Sequence, residues 1–131
     1  ARLLGLSAKV VPTAINEYWW TVVVLLLLAL KAALVEEVIV LGYLFDRLST
    51  LGLSRRWLIA GSALLRGTYH LYQGIGGFVG NLVMGLAFGW YYERHRGKGT
   101  TALWPLVVAH FALDAVIFVG YALLDLSHVL P

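Results

Sequence analysis

Residues 35–45 read VEEVIVLGYLF and place two adjacent carboxylates, Glu36 and Glu37, directly after an apolar run over residues 18–35. That run is long enough to cross a bilayer. A carboxylate at membrane depth is costly and is found mainly where it faces a bundle interior, a partner or a water-filled cavity. The pair therefore predicts a polar site inside a membrane protein.

The composition of the chain also indicates a membrane-embedded protein. Of its 131 residues 60% are hydrophobic, and the mean hydropathy is +0.81, which is more apolar surface than a soluble domain of this size can bury. The formal net charge of +3 comes from basic residues between apolar segments, where they set topology, so we exclude nucleic acid as a partner. Cysteine is absent, which excludes a disulfide framework and a thiolate metal site.

The apolar segments predict an all-α fold: a polytopic transmembrane helical bundle with a polar intramembrane cavity, forming a single domain over residues 1–131. The expected spans, about four in number, are about 18–48, 57–73, 78–92 and 101–126, after a connector or interfacial segment at 1–17. Small side chains recur every fourth residue in the third span and predict a packing seam: Gly77, Asn81, Gly85 and Gly89.

Charge and chain ends predict the topology. Basic residues concentrate at residues 46–56 and 93–100, which places both loops in the cytoplasm by the positive-inside rule. The compact loops favour a bacterial plasma membrane. No basic n-region precedes the first apolar run, so we expect no signal peptide and interpret the chain as a fragment of a longer protein.

Polar side chains recur at similar depth in separate predicted helices. At a rise of ~1.5 Å per residue, four of them lie ~14 to ~21 Å from the two basic loops: Glu36, His70, His110 and Asp114. Taken singly, each has a simpler explanation, such as an interhelical hydrogen bond for a histidine or an ion pair with Arg66 for a carboxylate. Together they predict one cavity that receives side chains from several helices.

Such a set of side chains suits the activation of water. A carboxylate in a low-dielectric cavity acts as a general base near neutral pH. Imidazoles across the cavity polarise a carbonyl, stabilise an oxyanion or bind a metal that activates water. The His-Glu-x-x-His sequence of zincins is absent, so we expect the site to assemble from separate helices.

Three short motifs follow one another along the chain. Glu36-Glu37 precedes GYLF at residues 42–45, His70 follows in the second predicted span, and His110 and Asp114 lie four residues apart in the fourth. In order and spacing they resemble the Glu-Glu-x-x-x-Arg, Phe-x-x-x-His and His-x-x-x-Asn or Asp motifs of the CPBP intramembrane proteases. This family includes the type II CAAX prenyl endopeptidases and bacterial Abi-like relatives.

The resemblance implies an intramembrane peptidase in which Glu36 is the water-activating base and His70 is its catalytic partner. It implies that His110 and Asp114 stabilise an oxyanion or transition state and that Glu37 is a supporting carboxylate. It also implies a lipid bilayer around the protein, a peptide or membrane-protein substrate, and hydrolysis by a glutamate with or without zinc. The resemblance assigns no metal site; if a metal binds, His70 and His110 are the candidate ligands.

Two positions depart from the family pattern. Leu41 stands where the first motif has arginine, and Arg66 stands where the second has phenylalanine. Because an unpaired arginine at membrane depth is costly, we predict that Arg66 supplies the missing cation by pairing with Glu37 or Asp114. If Arg66 had no such partner, the altered residues at positions 41 and 66 would indicate a degenerate site in a protein that has lost proteolysis.

Three other functions stay open on the sequence alone. The first is a catalytically inactive member of the fold that binds and regulates, or assembles with, a membrane-protein partner, which the exchange at Leu41 and Arg66 favours. The second is a proton-coupled transporter, since chains of Glu, His and Asp also mark proton paths, although we find no internal repeat. The third is haem ligation by His70 and His110.

Overall fold

The computed structural model describes residues 20–124, and every regular element in that range is helical. The elements are α1 (Trp20–Glu37), a π-helix (Val38–Phe45), α2 (Asp46–Thr50), α3 (Arg55–Tyr69), a 3₁₀ turn (Leu71–Gln73), α4 (Ile75–His95), a 3₁₀ segment (Arg96–Ala102) and α5 (Trp104–Leu124). The all-α prediction is confirmed for this part of the chain. The connector predicted at 1–17 lies outside the described residues.

The first predicted helix is continuous but changes its winding at the two carboxylates. The α-helical hydrogen bonding of α1 ends at Glu37, and eight residues of π-helix, Val38–Phe45, lead directly into α2. Gly42 lies inside the π-helix, where an added Cβ would come 3.0 Å from Leu103. π-helical turns occur frequently at functional sites, and this one begins next to the predicted base.

Helices α3 and α4 form a closely packed antiparallel hairpin. α3 ends at Tyr69, and the chain turns through Gly74, whose φ of 93° favours glycine, into α4. A Cβ at Gly85 would lie 2.7 Å from the Ala63 Cα, and a Cβ at Gly89 would lie 3.4 Å from the Ser62 Oγ. The packing seam predicted from the small side chains is therefore confirmed at these two glycines.

An apolar core lies at the π-helical end of the molecule. Its buried members come from the π-helix, α3, α4, the end of the 3₁₀ segment and the start of α5: Val40, Leu41, Phe45, Leu58, Phe88, Tyr92, Ala102 and Leu106. The Tyr92 hydroxyl donates to both Asp46 oxygens at 3.1 Å, and Arg96 Nη1 lies 4.0 Å from Asp46 Oδ1. The two basic loops therefore lie at the same end of the helices, as predicted.

The assignment of the helices as membrane spans is corrected. Among the helices of residues 20–124, none combines the length and the apolar content needed to cross a membrane. α3 has 15 residues, and α1 carries Lys31, Glu36 and Glu37 within its 18 residues. Helices thus lie where the spans at about 18–48, 57–73, 78–92 and 101–126 were predicted, but they do not meet the requirement for a span.

Candidate active site

Glu37, the last residue of α1, is the best-connected carboxylate of the described residues. Its side chain is fully buried. Arg66 on α3 donates from Nη1 to Oε1 at 2.7 Å and from Nη2 to Oε2 at 2.8 Å, and Nδ1 of His110 on α5 lies 2.7 Å from the same Oε1. A single carboxylate thus connects three helices through short, charge-assisted hydrogen bonds.

Arg66 pairs with one of the two carboxylates predicted for it. Its side chain is 1% exposed, and its guanidinium carbon lies 5.5 Å from the centre of the Phe88 ring. The pair with Glu37 is bidentate, the arrangement that best matches a guanidinium to a carboxylate. Position 41, where the family motif has arginine, is occupied by a leucine that is 1% exposed.

Glu36 occupies a more open environment than its neighbour. Its side chain is 22% exposed, and the Tyr69 hydroxyl donates to its Oε2 at 2.9 Å. The Nε2 atom of His70 lies 3.7 Å from Oε1, and the Nε2 atom of His110 lies 4.0 Å from Oε2. Both distances exceed that of a direct hydrogen bond, so the histidines face this carboxylate without binding it directly.

The two histidines are oriented in the same way by different acceptors. His70 Nδ1 lies 3.0 Å from the main-chain oxygen of Arg66, and His110 Nδ1 lies 2.7 Å from Glu37 Oε1. A carbonyl and a carboxylate only accept hydrogen bonds, so each Nδ1 is the donor. In the neutral form of each ring, Nε2 is then the unprotonated nitrogen directed towards Glu36.

Asp114 completes the cluster on α5. It lies one turn after His110, and its Oδ2 is 3.4 Å from His110 Nε2. Its side chain is 27% exposed, similar to that of Glu36. The structure therefore brings together every residue that the sequence placed in the site: Glu36, Glu37, Arg66, His70, His110 and Asp114.

Comparison with known families identifies the relationship. The chain matches the family described as type II CAAX prenyl endopeptidase Rce1-like over residues 18–116, a range that contains the whole cluster. The chain belongs to this Rce1-like family. The resemblance to the CPBP proteases is thereby confirmed, and because Rce1-like proteins are membrane proteins, the membership supports a membrane location. No significant match is found among curated proteins or among solved structures.

Tyr69 is a residue of this Rce1-like site that sequence reasoning missed. Its hydroxyl binds Glu36, and its ring lies 4.6 Å from that of His70. Adjacent residues of a helix point about 100° apart, so Tyr69 and His70 are not expected on one face. They share a face here because α3 ends at Tyr69 and His70 has left the helical conformation, with φ −95° and ψ 3°. A predicted helix end between them would have been the only signal.

The alternative of a zinc ion in this Rce1-like chain is tested by the donor set. His70 and His110, the candidate ligands, both direct Nε2 towards Glu36. Within residues 20–124, however, no group of three or more His, Cys, Asp or Glu side chains is arranged to hold a metal ion. The described residues do not fit zinc, and the chemistry below is derived from the side chains alone.

Proposed function

We propose that this chain is an intramembrane peptidase of the CAAX prenyl endopeptidase type, which hydrolyses a peptide bond with a water molecule activated by Glu36. One observation carries the proposal: the partly exposed carboxylate of Glu36 faces the Nε2 atoms of His70 and His110 at 3.7 and 4.0 Å. Membership of the Rce1-like family supports it.

The geometry supplies a role for each group. We place the water molecule to one side of the line from Glu36 Oε1 to His70 Nε2, where it can bind both atoms, because their separation of 3.7 Å is too long for a direct bond. Glu36 accepts a proton from this water molecule while the water oxygen attacks the carbonyl carbon of the substrate. The C–N bond of the resulting tetrahedral intermediate then breaks, and the proton passes from Glu36 to the leaving amine.

His110 is the group that we assign to the developing oxyanion. In its protonated form the ring donates from Nε2, the atom that lies between the carboxylates of Glu36 and Asp114. Asp114 Oδ2, at 3.4 Å, balances the charge of this imidazolium. A donor fixed in advance where negative charge develops is a large contributor to catalysis. Glu37 is buried and both of its carboxylate oxygens accept hydrogen bonds, so its role in this scheme is structural support.

We infer a location in a bacterial plasma membrane, with a peptide or membrane-protein substrate. Large apolar side chains are exposed on three of the long helices, among them Leu27 (61% exposed), Val83 (60%) and Val116 (71%). Exposed apolar surface on this scale is typical of proteins in contact with lipid or with other membrane proteins. This inference also explains the mean hydropathy of +0.81.

The proposal is tested by cleavage assays on the purified chain in lipid nanodiscs, with a farnesylated CAAX peptide and an unprenylated peptide of the same sequence. We expect separate Glu36→Gln and His70→Ala substitutions to lower kcat/KM by ~10²- to 10⁴-fold, the usual contribution of general acid–base groups. Glu93→Gln and His95→Ala are matched controls, since both residues lie on α4 outside the cluster. Cleavage that survives Glu36→Gln would contradict the proposal.

The exchange at Leu41 and Arg66 favours a second candidate, a non-catalytic family member that regulates or assembles with a membrane-protein partner. If this second candidate is correct, the unaltered chain cleaves neither peptide. Deletion of the protein from the source cell then gives a phenotype, and the Glu36→Gln and His70→Ala variants both restore the normal one. Loss of complementation in those variants would exclude it in favour of the peptidase.

A further inference from the structure

The two histidines of the cluster differ in what holds them. His70 is anchored by the main-chain oxygen of residue 66, which is present whatever side chain stands there. His110 is anchored by the Glu37 carboxylate, and a carboxylate on a flexible side chain has a fixed direction only if it is itself held. The orientation of His110 therefore depends on the partners of Glu37.

Arg66 is the partner that fixes this carboxylate. Among the described residues, Glu37 accepts its hydrogen bonds from Arg66 and His110. The two parallel bonds from the guanidinium define both the position and the plane of the carboxylate. Oε1 thereby points its remaining lone pair at His110 Nδ1. The positive charge of the guanidinium also balances the negative charge of Glu37. This carboxylate can therefore stay ionised, as a hydrogen-bond acceptor, close to the carboxylates of Glu36 and Asp114.

We propose that Arg66 is a positioning residue, which fixes His110 through Glu37 so that its Nε2 is directed towards Glu36 and Asp114. Arg66 is 1% exposed and does not reach the open side of the cluster, so it acts on the reaction only through its neighbours. It takes over a cation position from residue 41, which follows Glu37 by about one helical turn. The positive charge of the first motif is thus present in this chain, but a residue of α3 carries it in place of a residue of the π-helix.

The test measures histidine side chains directly. The full chain is labelled with ¹⁵N in its imidazole rings, placed in lipid nanodiscs without substrate, and its Nδ1 protons are recorded by NMR. The spectra of Arg66→Lys, Arg66→Phe and the exchange variant Arg66→Phe/Leu41→Arg are compared with that of the unaltered chain. His110→Gln assigns the signal of interest by removing it.

The site and α4 supply internal controls. His70 and His95 donate from Nδ1 to main-chain oxygens four residues earlier, at 3.0 and 2.8 Å, so side-chain changes at position 66 leave their acceptors in place. We expect the downfield Nδ1 proton signal of His110 to be lost in Arg66→Phe and shifted upfield in Arg66→Lys, with His70 and His95 unchanged. In the exchange variant we expect the His110 signal to return.

The outcomes that overturn the proposal are equally defined. A His110 signal that is unchanged in folded Arg66→Lys or Arg66→Phe would overturn it, as would an exchange variant that folds without regaining the signal. If Arg66→Phe fails to fold, the signals of His70 and His95 are lost as well, and the other two variants decide.

A kinetic readout, which rests on the proposed function, accompanies the spectra. Arg66→Lys should lower kcat by about 10- to 100-fold, the loss seen when the partner that orients a metal-bound histidine is removed, and leave KM unchanged because Arg66 does not contact substrate. A rise in KM at constant kcat would contradict the positioning role. If the unaltered chain cleaves no peptide, the proposed function fails, whereas the NMR result still decides the role of Arg66.

Discussion

Glu36 and Glu37 are neighbours in the chain, yet they lie in two regions with opposite properties. Glu37 belongs to an inner region in which Arg66 and His110 satisfy a fully buried carboxylate at 2.7 to 2.8 Å. Glu36 belongs to an outer region in which the carboxylate is 22% exposed and the two imidazoles remain 3.7 and 4.0 Å away. The Glu37 carboxylate, with three short hydrogen bonds and no exposure, holds the helices together, whereas the Glu36 carboxylate is open enough to take part in chemistry.

The first prediction separates the two carboxylates by stability. Glu37→Ala leaves the Arg66 charge buried without its partner, and we expect it to lower the free energy of unfolding by about 3 to 5 kcal/mol. Glu36→Ala removes a partly exposed group and should change it by less than about 1 kcal/mol. Denaturant unfolding in mixed micelles measures both. Equal losses for the two variants would end the distinction between the regions.

The second prediction concerns the helix that serves both regions. α3 carries Arg66, which belongs to the inner region, and ends just before His70, which belongs to the outer region. α4 packs against α3 at Gly85. Gly85→Ala would place a Cβ 2.7 Å from the Ala63 Cα, so we expect a loss of about 1 to 3 kcal/mol from overpacking.

The control for this substitution is Gly80→Ala, on the same helix with nothing within 4 Å of its added Cβ. It should stabilise the protein by up to about 1 kcal/mol through helix propensity. Thermal unfolding of both variants provides the measurement. A neutral Gly85→Ala would show that α3 and α4 are less tightly packed than the seam indicates.

The third prediction addresses the outer region alone. Tyr69→Phe removes the hydroxyl that donates to Glu36 at 2.9 Å and keeps the rest of the ring. We expect at least a tenfold lower kcat, which corresponds to about 1.4 kcal/mol, because Glu36 loses the bond that orients it. Little change in stability is expected, since Tyr69 is 37% exposed.

Tyr72→Phe is the matched control for Tyr69. The Tyr72 hydroxyl accepts from Gln73 and the side chain is 71% exposed, so its loss should leave kcat unchanged. Parallel progress curves for the two variants give the comparison. If both substitutions lower kcat to the same extent, the effect does not come from the hydrogen bond between Tyr69 and Glu36.

Much of the site was predictable because its residues are rare in their surroundings. Polar side chains in apolar helices stand out, their helical spacing is fixed at 1.5 Å per residue, and the cost of an unpaired arginine required a carboxylate near Arg66. The pair with Glu37 follows that logic. Tyr69 was missed because a tyrosine beside a histidine has no special signature until the end of α3 is known.

Other features depended on local winding that composition does not encode. The run VIVLGYLF favours a helix, but nothing in it specifies the π-helical hydrogen bonding found at Val38–Phe45. The helix of the second predicted span ends earlier than predicted, because α3 stops at Tyr69 and a 3₁₀ turn follows. The helix of the third is longer than predicted, since α4 covers Ile75–His95. Span assignment failed where helix assignment held, because a span also requires an apolar stretch with few charges, and α1 carries Lys31, Glu36 and Glu37.

The sequence by itself determined that this chain is helical, which polar groups it contains and that they lie at matching heights, because spacing and composition are local properties. Only the tertiary structure decided that Arg66 pairs with Glu37 and not with Asp114, and that Glu36 remains partly open. Neighbouring side chains on a helix point in different directions, so that choice depends on how α1 is rotated against α3 and α5. The same rotation decides which carboxylate is buried and which is free for catalysis.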